Sequence, residues 1–145
     1  MHKLDRLGGM SWTERWLLVQ SLLLLPIVAA LLRFVGFQKT YHWLDRLPGQ
    51  NSQTDPHSVG QSVDTASRNL PVYRPTCLSR SLVLWHLLRR RGVPAVLQIG
   101  VRKEHNELLS HAWVESDGRV VNDNPDVAHH FSPIDFHQEQ SRGKA

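Results

Sequence analysis

The sequence predicts an α+β fold: an apolar helical N-terminal region, a helix that begins at the lone cysteine, and a small antiparallel sheet packed on that helix. Three observations predict it. Apolar residues run almost unbroken from Trp16 to Leu32. Cys77 to Gly92 carries helix start and stop signals, and alternating segments from Ala95 to Asp123 flank a turn. The chain has 145 residues, 41% apolar and 21% charged, which fits one globular domain and excludes wholesale disorder. Its 17 Lys+Arg against 13 Asp+Glu leave a net charge of +4. The excess is scattered except at Arg89-Arg90-Arg91, a solvated complement to a helix C-terminus. No basic stripe with interleaved aromatics is present, so no nucleic-acid partner is expected. Cys77 is the only cysteine, which rules out a disulfide framework and multi-cysteine metal sites.

In the first region, residues 1–47, Ser11 and Glu14 have capping-box spacing and start a helix at Trp12. The uncharged stretch that follows contains Gln20 and Pro26 and is barely long enough to span a bilayer. It lacks the cleavage pattern of a signal peptide. The expectation is a buried helical hairpin kinked at Pro26 in a soluble, cytoplasmic protein. A membrane-seated helix and a partner-docking surface are the alternatives. Residues 48–57, dense in turn formers, are assigned to a linker, and residues 58–145 to the core. There Val59, Val63, Ala66 and Leu70 recur at helical spacing until Pro71 ends the run.

Cys77, Ser81, Leu84, Trp85 and Leu88 share one arc of the next helix, so the thiol sits in its first turn and faces whatever the helix packs against. Ala95 to Val101 alternates as a strand, and Arg102 to Asn106 reads as a polar loop. His111–Glu115 and Arg119–Asp123 then form a hairpin. With a three-residue loop, Ser116–Gly118, Glu115 faces Arg119, Trp113 faces Val121 and His111 faces Asp123. A two-residue Asp-Gly loop would pair Trp113 with Asn122 and send Asp123 to the face opposite His111.

A thiol at a helix N-terminus meets unpaired N–H groups and the positive end of the dipole, which favour the thiolate. In the longer-loop register, Cys77, His111 and Asp123 supply a nucleophile, a base and an orienter. The bland alternative is a core cysteine, an edge histidine and a surface aspartate. Glu115, on the same strand face as His111, is a rival orienter, and Trp113 is either a cleft wall or core. The Cys77 N–H is one oxyanion donor, with no second donor identified. His86 lies on the helix face away from Cys77, His42 and His57 are isolated, and His129-His130 lack assignable further ligands. No metal and no cofactor are therefore expected.

Thr76-Cys-Leu-Ser-Arg-Ser-Leu-Val-Leu, Gln98-Ile-Gly-Val-Arg-Lys, and His111-Ala-Trp-Val-Glu with Val121-Asn-Asp resemble the transglutaminase-like leader peptidases of lasso-peptide biosynthesis. With the leucine-rich N-terminal helices and the linker, the resemblance covers most of residues 11–125. It implies a transglutaminase/papain-like core and a cysteine (thiol) protease with Cys77, His111 and Asp123 as catalytic residues. That protease, working through an acyl-enzyme, removes the leader from a ribosomally made precursor before a cyclase threads the core peptide. The family favours a threonine near the end of the leader. Fused members carry a strand-rich leader-recognition domain, whereas residues 1–70 here read as helices and a linker, so the chain resembles the stand-alone protease half of the split form. The implied partners are the precursor peptide, a separate leader-recognition protein and the lasso cyclase, with peripheral membrane association through the apolar region. No phosphate-binding Gly-x-x-x-x-Gly-Lys-Ser/Thr loop is present, so any nucleotide requirement belongs to a partner. Acyl transfer to an amine and a non-enzymatic scaffold that docks the cyclase are the rival functions.

Overall fold

The computed structural model describes residues 9, 11–46, 49, 54–70 and 75–135, and over them the fold is α+β. Helix α1 (Trp12–Phe34) starts where Ser11 Oγ accepts the Glu14 N–H and Glu14 Oε2 accepts the Ser11 N–H, the reciprocal cap that the spacing predicts. It stops at Gly36, whose φ of +94° suits glycine and whose N–H donates back to the Leu31 carbonyl. Between these ends α1 is continuous through Pro26. Only Leu17, Ser21, Leu25 and Val28 are buried, while Trp12, Trp16, Val19, Leu23, Ile27 and Phe34 are exposed on the other face. By length and composition α1 is apolar enough to cross a bilayer. The expected buried hairpin is thus corrected to a half-covered helix. Its neighbour α2 (Phe37–Arg46) has 10 residues against 23 in α1 and is too short to cover it.

Helix α3 (Pro56–Asn69) begins inside the segment assigned to the linker. Asp55 Oδ1 accepts the His57 N–H, and Pro56 takes the first helical position, where its missing N–H costs nothing. Apart from Gly49 and Thr54, the rest of that linker segment lies outside the described residues. Val59, Val63 and Ala66 are buried, as the helical spacing requires.

Helix α4 (Cys77–Arg90) is buried on every side from Ser81 to Leu88, which makes it the centre of the fold. Leu17, Leu25 and Val28 of α1, Val59 and Val63 of α3, and Leu97 and Val114 of the sheet join it in one apolar cluster. Each such side chain contributes about 1.5–3 kcal/mol by leaving water. At the C-terminus of α4 Arg89 and Arg90 are exposed, as expected, and Arg91 is half-buried, while Arg89 and Arg91 also tie helices together. Arg89 pairs with Asp45 of α2 and lies 5.1 Å over the Trp85 ring. Arg91 donates to Gln20 Oε1 of α1 at 2.8 Å.

The sheet is antiparallel, in the order β3-β2-β1-β4. Strand β1 (Val96–Glu104) and strand β2 (Glu107–Ser116) meet at His105-Asn106, with φ of +49° and +66°. This is a two-residue mirror-image turn that matches strand twist, so most of the expected polar loop is strand. A second such turn, Asp117-Gly118 with φ of +51° and +75°, leads to β3 (Arg119–Val120). It pairs Glu115 with Val120 and Ser116 with Arg119. The three-residue loop is therefore corrected to two residues. After β3 come a short helix α5 (Val127–His130) and β4 (Ser132–Pro133), which adds to the free edge of β1.

Candidate active site

Thr76 makes the helix tip. Its Oγ1 accepts the Ser79 N–H at 3.2 Å, so Cys77 is the first helical residue, half-buried and not in a disulfide. At that position the N–H groups of Cys77 and Leu78 have no intrahelical acceptor, and among the described residues no other group takes them, which suits them to an anionic oxygen.

The two-residue turn should carry Asp123 to the wrong face of the hairpin. It does not, because the ladder ends first. The Val121 N–H still donates to the Val114 carbonyl at 2.9 Å. The next acceptor for the Val114 N–H is the side-chain Oδ1 of Asn122 at 2.9 Å, in place of a backbone carbonyl. Asn122 Nδ2 donates to Ser81 Oγ at 3.1 Å, and that hydroxyl donates to the Ala112 carbonyl at 3.0 Å. Asn122 thus stitches α4 to β2 while its own backbone leaves the strand. The departing chain brings Asp123 back, and Asp123 Oδ2 hydrogen-bonds His111 Nε2. Its other oxygen, Oδ1, accepts the Asn124 N–H at 2.7 Å, so both oxygens are used.

Cys77, His111 and Asp123 all line one cleft of about 430 Å³ between α3, α4 and the hairpin. Nε2 of His111 is engaged by the carboxylate, and among the described residues no hydrogen bond joins the Cys77 sulfur to the imidazole, although both line the cleft. The imidazole is held from the side by aromatic rings, Phe131 at 5.2 Å and Trp113 at 6.2 Å between centroids. Gly100, paired with His111 across β1 and β2, leaves room for both rings: a Cβ there would lie 2.7 Å from Phe131 Cβ and 3.0 Å from the Trp113 ring. A smaller groove of about 150 Å³ shares His111 and Asp123 and reaches Arg102 and Phe131.

The rival orienter, Glu115, is engaged elsewhere: its Oε1 accepts from Trp113 Nε1 at 3.0 Å. Trp113 itself is fully buried. His86 is buried in the core, and burial, with Arg90 next in weight, pushes its imidazole below the ordinary value. His42 is exposed, and His130 pairs with Asp126 at 3.2 Å. His57, set aside as isolated, lines the Cys77 cleft from the first turn of α3. Sequence reasoning assigned no role to Asn122 and Arg80, which stand in the motifs that carry the resemblance, or to Phe131. Of these only Arg80, one helical turn from Cys77, carried a positional signal.

The family model described as the transglutaminase-like superfamily matches residues 20–135. The chain is 33% identical over 85 residues to the microcin J25-processing protein McjB of Escherichia coli. That match covers 57% of this chain and 40% of the relative, so the chain spans less than half of that protein's length. No solved structure matches the chain significantly.

Proposed function

The chain belongs to the transglutaminase-like superfamily, and from that membership we propose that it is a thiol peptidase that removes the leader from a ribosomally made lasso-peptide precursor. The observation that carries this is the His111 Nε2–Asp123 Oδ2 bond in the cleft that also holds Cys77 at a helix tip. The similarity to a microcin-processing protein supports the choice of substrate class. The partners are the precursor, a leader-recognition protein and the cyclase that closes the core peptide, all in the cytoplasm.

In this mechanism Cys77 passes its proton to His111 Nδ1, and the sulfur attacks the carbonyl carbon at the leader's end. The carbonyl oxygen becomes anionic and is received by the Cys77 N–H at the positive end of α4. The C–N bond breaks as His111 returns the proton to the departing core-peptide amine. Water then attacks the thioester, giving a proton to His111, and the leader leaves as a carboxylate while the thiol is restored. Asp123 holds the imidazole in the needed tautomer and stabilises its charged form throughout.

The test is incubation of precursor and recognition protein with wild type and Cys77→Ala, read by mass spectrometry. Leader and core peptide are expected from wild type alone. Cleavage by the alanine variant would overturn the assignment. A primary amine added during turnover is expected to leave free acid as the product, whereas an amide adduct would identify an acyl transferase instead.

A further inference from the structure

Among the described residues, two buried side-chain nitrogens have no hydrogen-bond partner: Nε of Arg80 and Nε of Arg102. Arg80 lines the cleft with Cys77 and His111, and Arg102 lines the smaller groove past Asp123. A buried donor left unpaired costs about 1–3 kcal/mol, so each of these nitrogens calls for a partner that the described residues do not supply, a solvent molecule or a ligand. Arg102 is otherwise occupied, by Glu104 at 2.8 Å and by the Phe131 ring at 4.9 Å. Arg80 has no ion pair among the described residues. The two carboxylates on its cleft are both committed, Asp64 to Arg68 at 3.1 Å and Asp123 to His111.

Arg80 follows Cys77 by three positions on α4, and long helical side chains lean back toward the N-terminus. Its stem therefore leans toward the turn that bears the thiol, and both residues line the same cleft. A half-buried cation with no ion pair among the described residues is suited to receive a full negative charge, and a carboxylate matches the guanidinium fork with two parallel bonds. A backbone carbonyl would leave the charge uncompensated.

We infer that Arg80 is a substrate-binding residue that takes a carboxylate of the bound peptide, so that an acidic side chain close to the cleaved bond marks the preferred substrate. The substrate part rests on the peptidase function proposed above. The carboxylate site itself does not.

Two measurements test it. The first compares alkylation of Cys77 by iodoacetate and iodoacetamide, each forming an S–C bond with loss of iodide. The ratio of the two rates cancels any change in the thiol itself and reports attraction for the reagent's carboxylate. That ratio is expected to fall about tenfold in Arg80→Met and to be largely kept in Arg80→Lys, as for unit charges a few ångströms apart in a half-buried site. The second measures cleavage of precursors carrying Glu or Gln at each position around the scissile bond. Wild type is expected to prefer Glu about tenfold in kcat/KM at one position, Arg80→Met to lose the preference, and Arg80→Glu to prefer Lys there. An alkylation ratio indifferent to Arg80→Met would overturn the inference, as would equal cleavage of Glu and Gln precursors at every position. Alkylation behaving as expected while wild type cuts no precursor would uphold the carboxylate site and overturn the peptidase function instead.

Discussion

Asn122 stands at the point where a strand must end one residue early, and its amide does the work of a peptide unit. The oxygen takes the Val114 N–H and the nitrogen reaches Ser81 of α4. Asn122→Ala should lower the unfolding free energy by about 1–3 kcal/mol, because a ladder N–H next to the core loses its acceptor; urea melts check this. Processing should fall as well, because Asp123 is placed by the same departure of the chain. An Asn122→Ala protein as stable and active as wild type would show that Asp123 is positioned by something else. The juxtaposition of His111 and Asp123 was legible in the sequence, yet for a mistaken local reason. The spacing suggested a cross-strand pair, whereas the pair forms only because Asn122 breaks the ladder. Nothing in residue order announces where a hairpin ladder stops, since that depends on a partner, Ser81, contributed by a distant helix.

Among the elements, helices were read more faithfully than strands. Caps and apolar spacing are local signals, so the starts of α1 and α4 and the buried face of α3 followed from residues a few positions apart. The sheet was harder: the segment 102–106 reads as a polar loop but turns only at left-handed His105-Asn106, and of the two lengths open to the second turn, left-handed Asp117 and Gly118 take the shorter. The segment after Pro125 adds β4 to the sheet and lays Phe131 against the His111 ring, a contact that only tertiary packing creates. Gly100 makes that packing possible. Gly100→Ala should cost about 1–3 kcal/mol, because the new methyl would sit 2.7 Å from Phe131 Cβ, a position no rotamer change relieves. Thermal denaturation checks the stability loss, and Gly100→Ala combined with Phe131→Gly, which removes the clashing Cβ, should recover part of it.

For the molecule as a whole, the buried His86 ties stability to acidity. Burial first, then Arg90, lowers its pKa from the ordinary 6.5, against a hydrogen bond to the Leu44 backbone that raises it. The unfolded chain binds a proton as pH falls through about 6.5, while the folded chain resists until lower pH. Stability should therefore be full above pH 6.5 and decline below it, by up to about 1.4 kcal/mol per pH unit from this group. Urea melts between pH 5 and 7.5 test this, and His86→Gln should flatten that part of the slope. The α+β class was legible because one uncharged run, one helix and one alternating segment lie in order along the chain. How much of α1 the rest would cover was not, because coverage depends on the length and placement of α2 and α3. The face left uncovered, from Trp12 to Phe34, extends about 33 Å. In the test tube the chain should accordingly behave as a surfactant: apparent mass in size-exclusion chromatography climbing with concentration and with added sulfate, dropping in mild detergent, and reset to a single copy by Leu23→Glu.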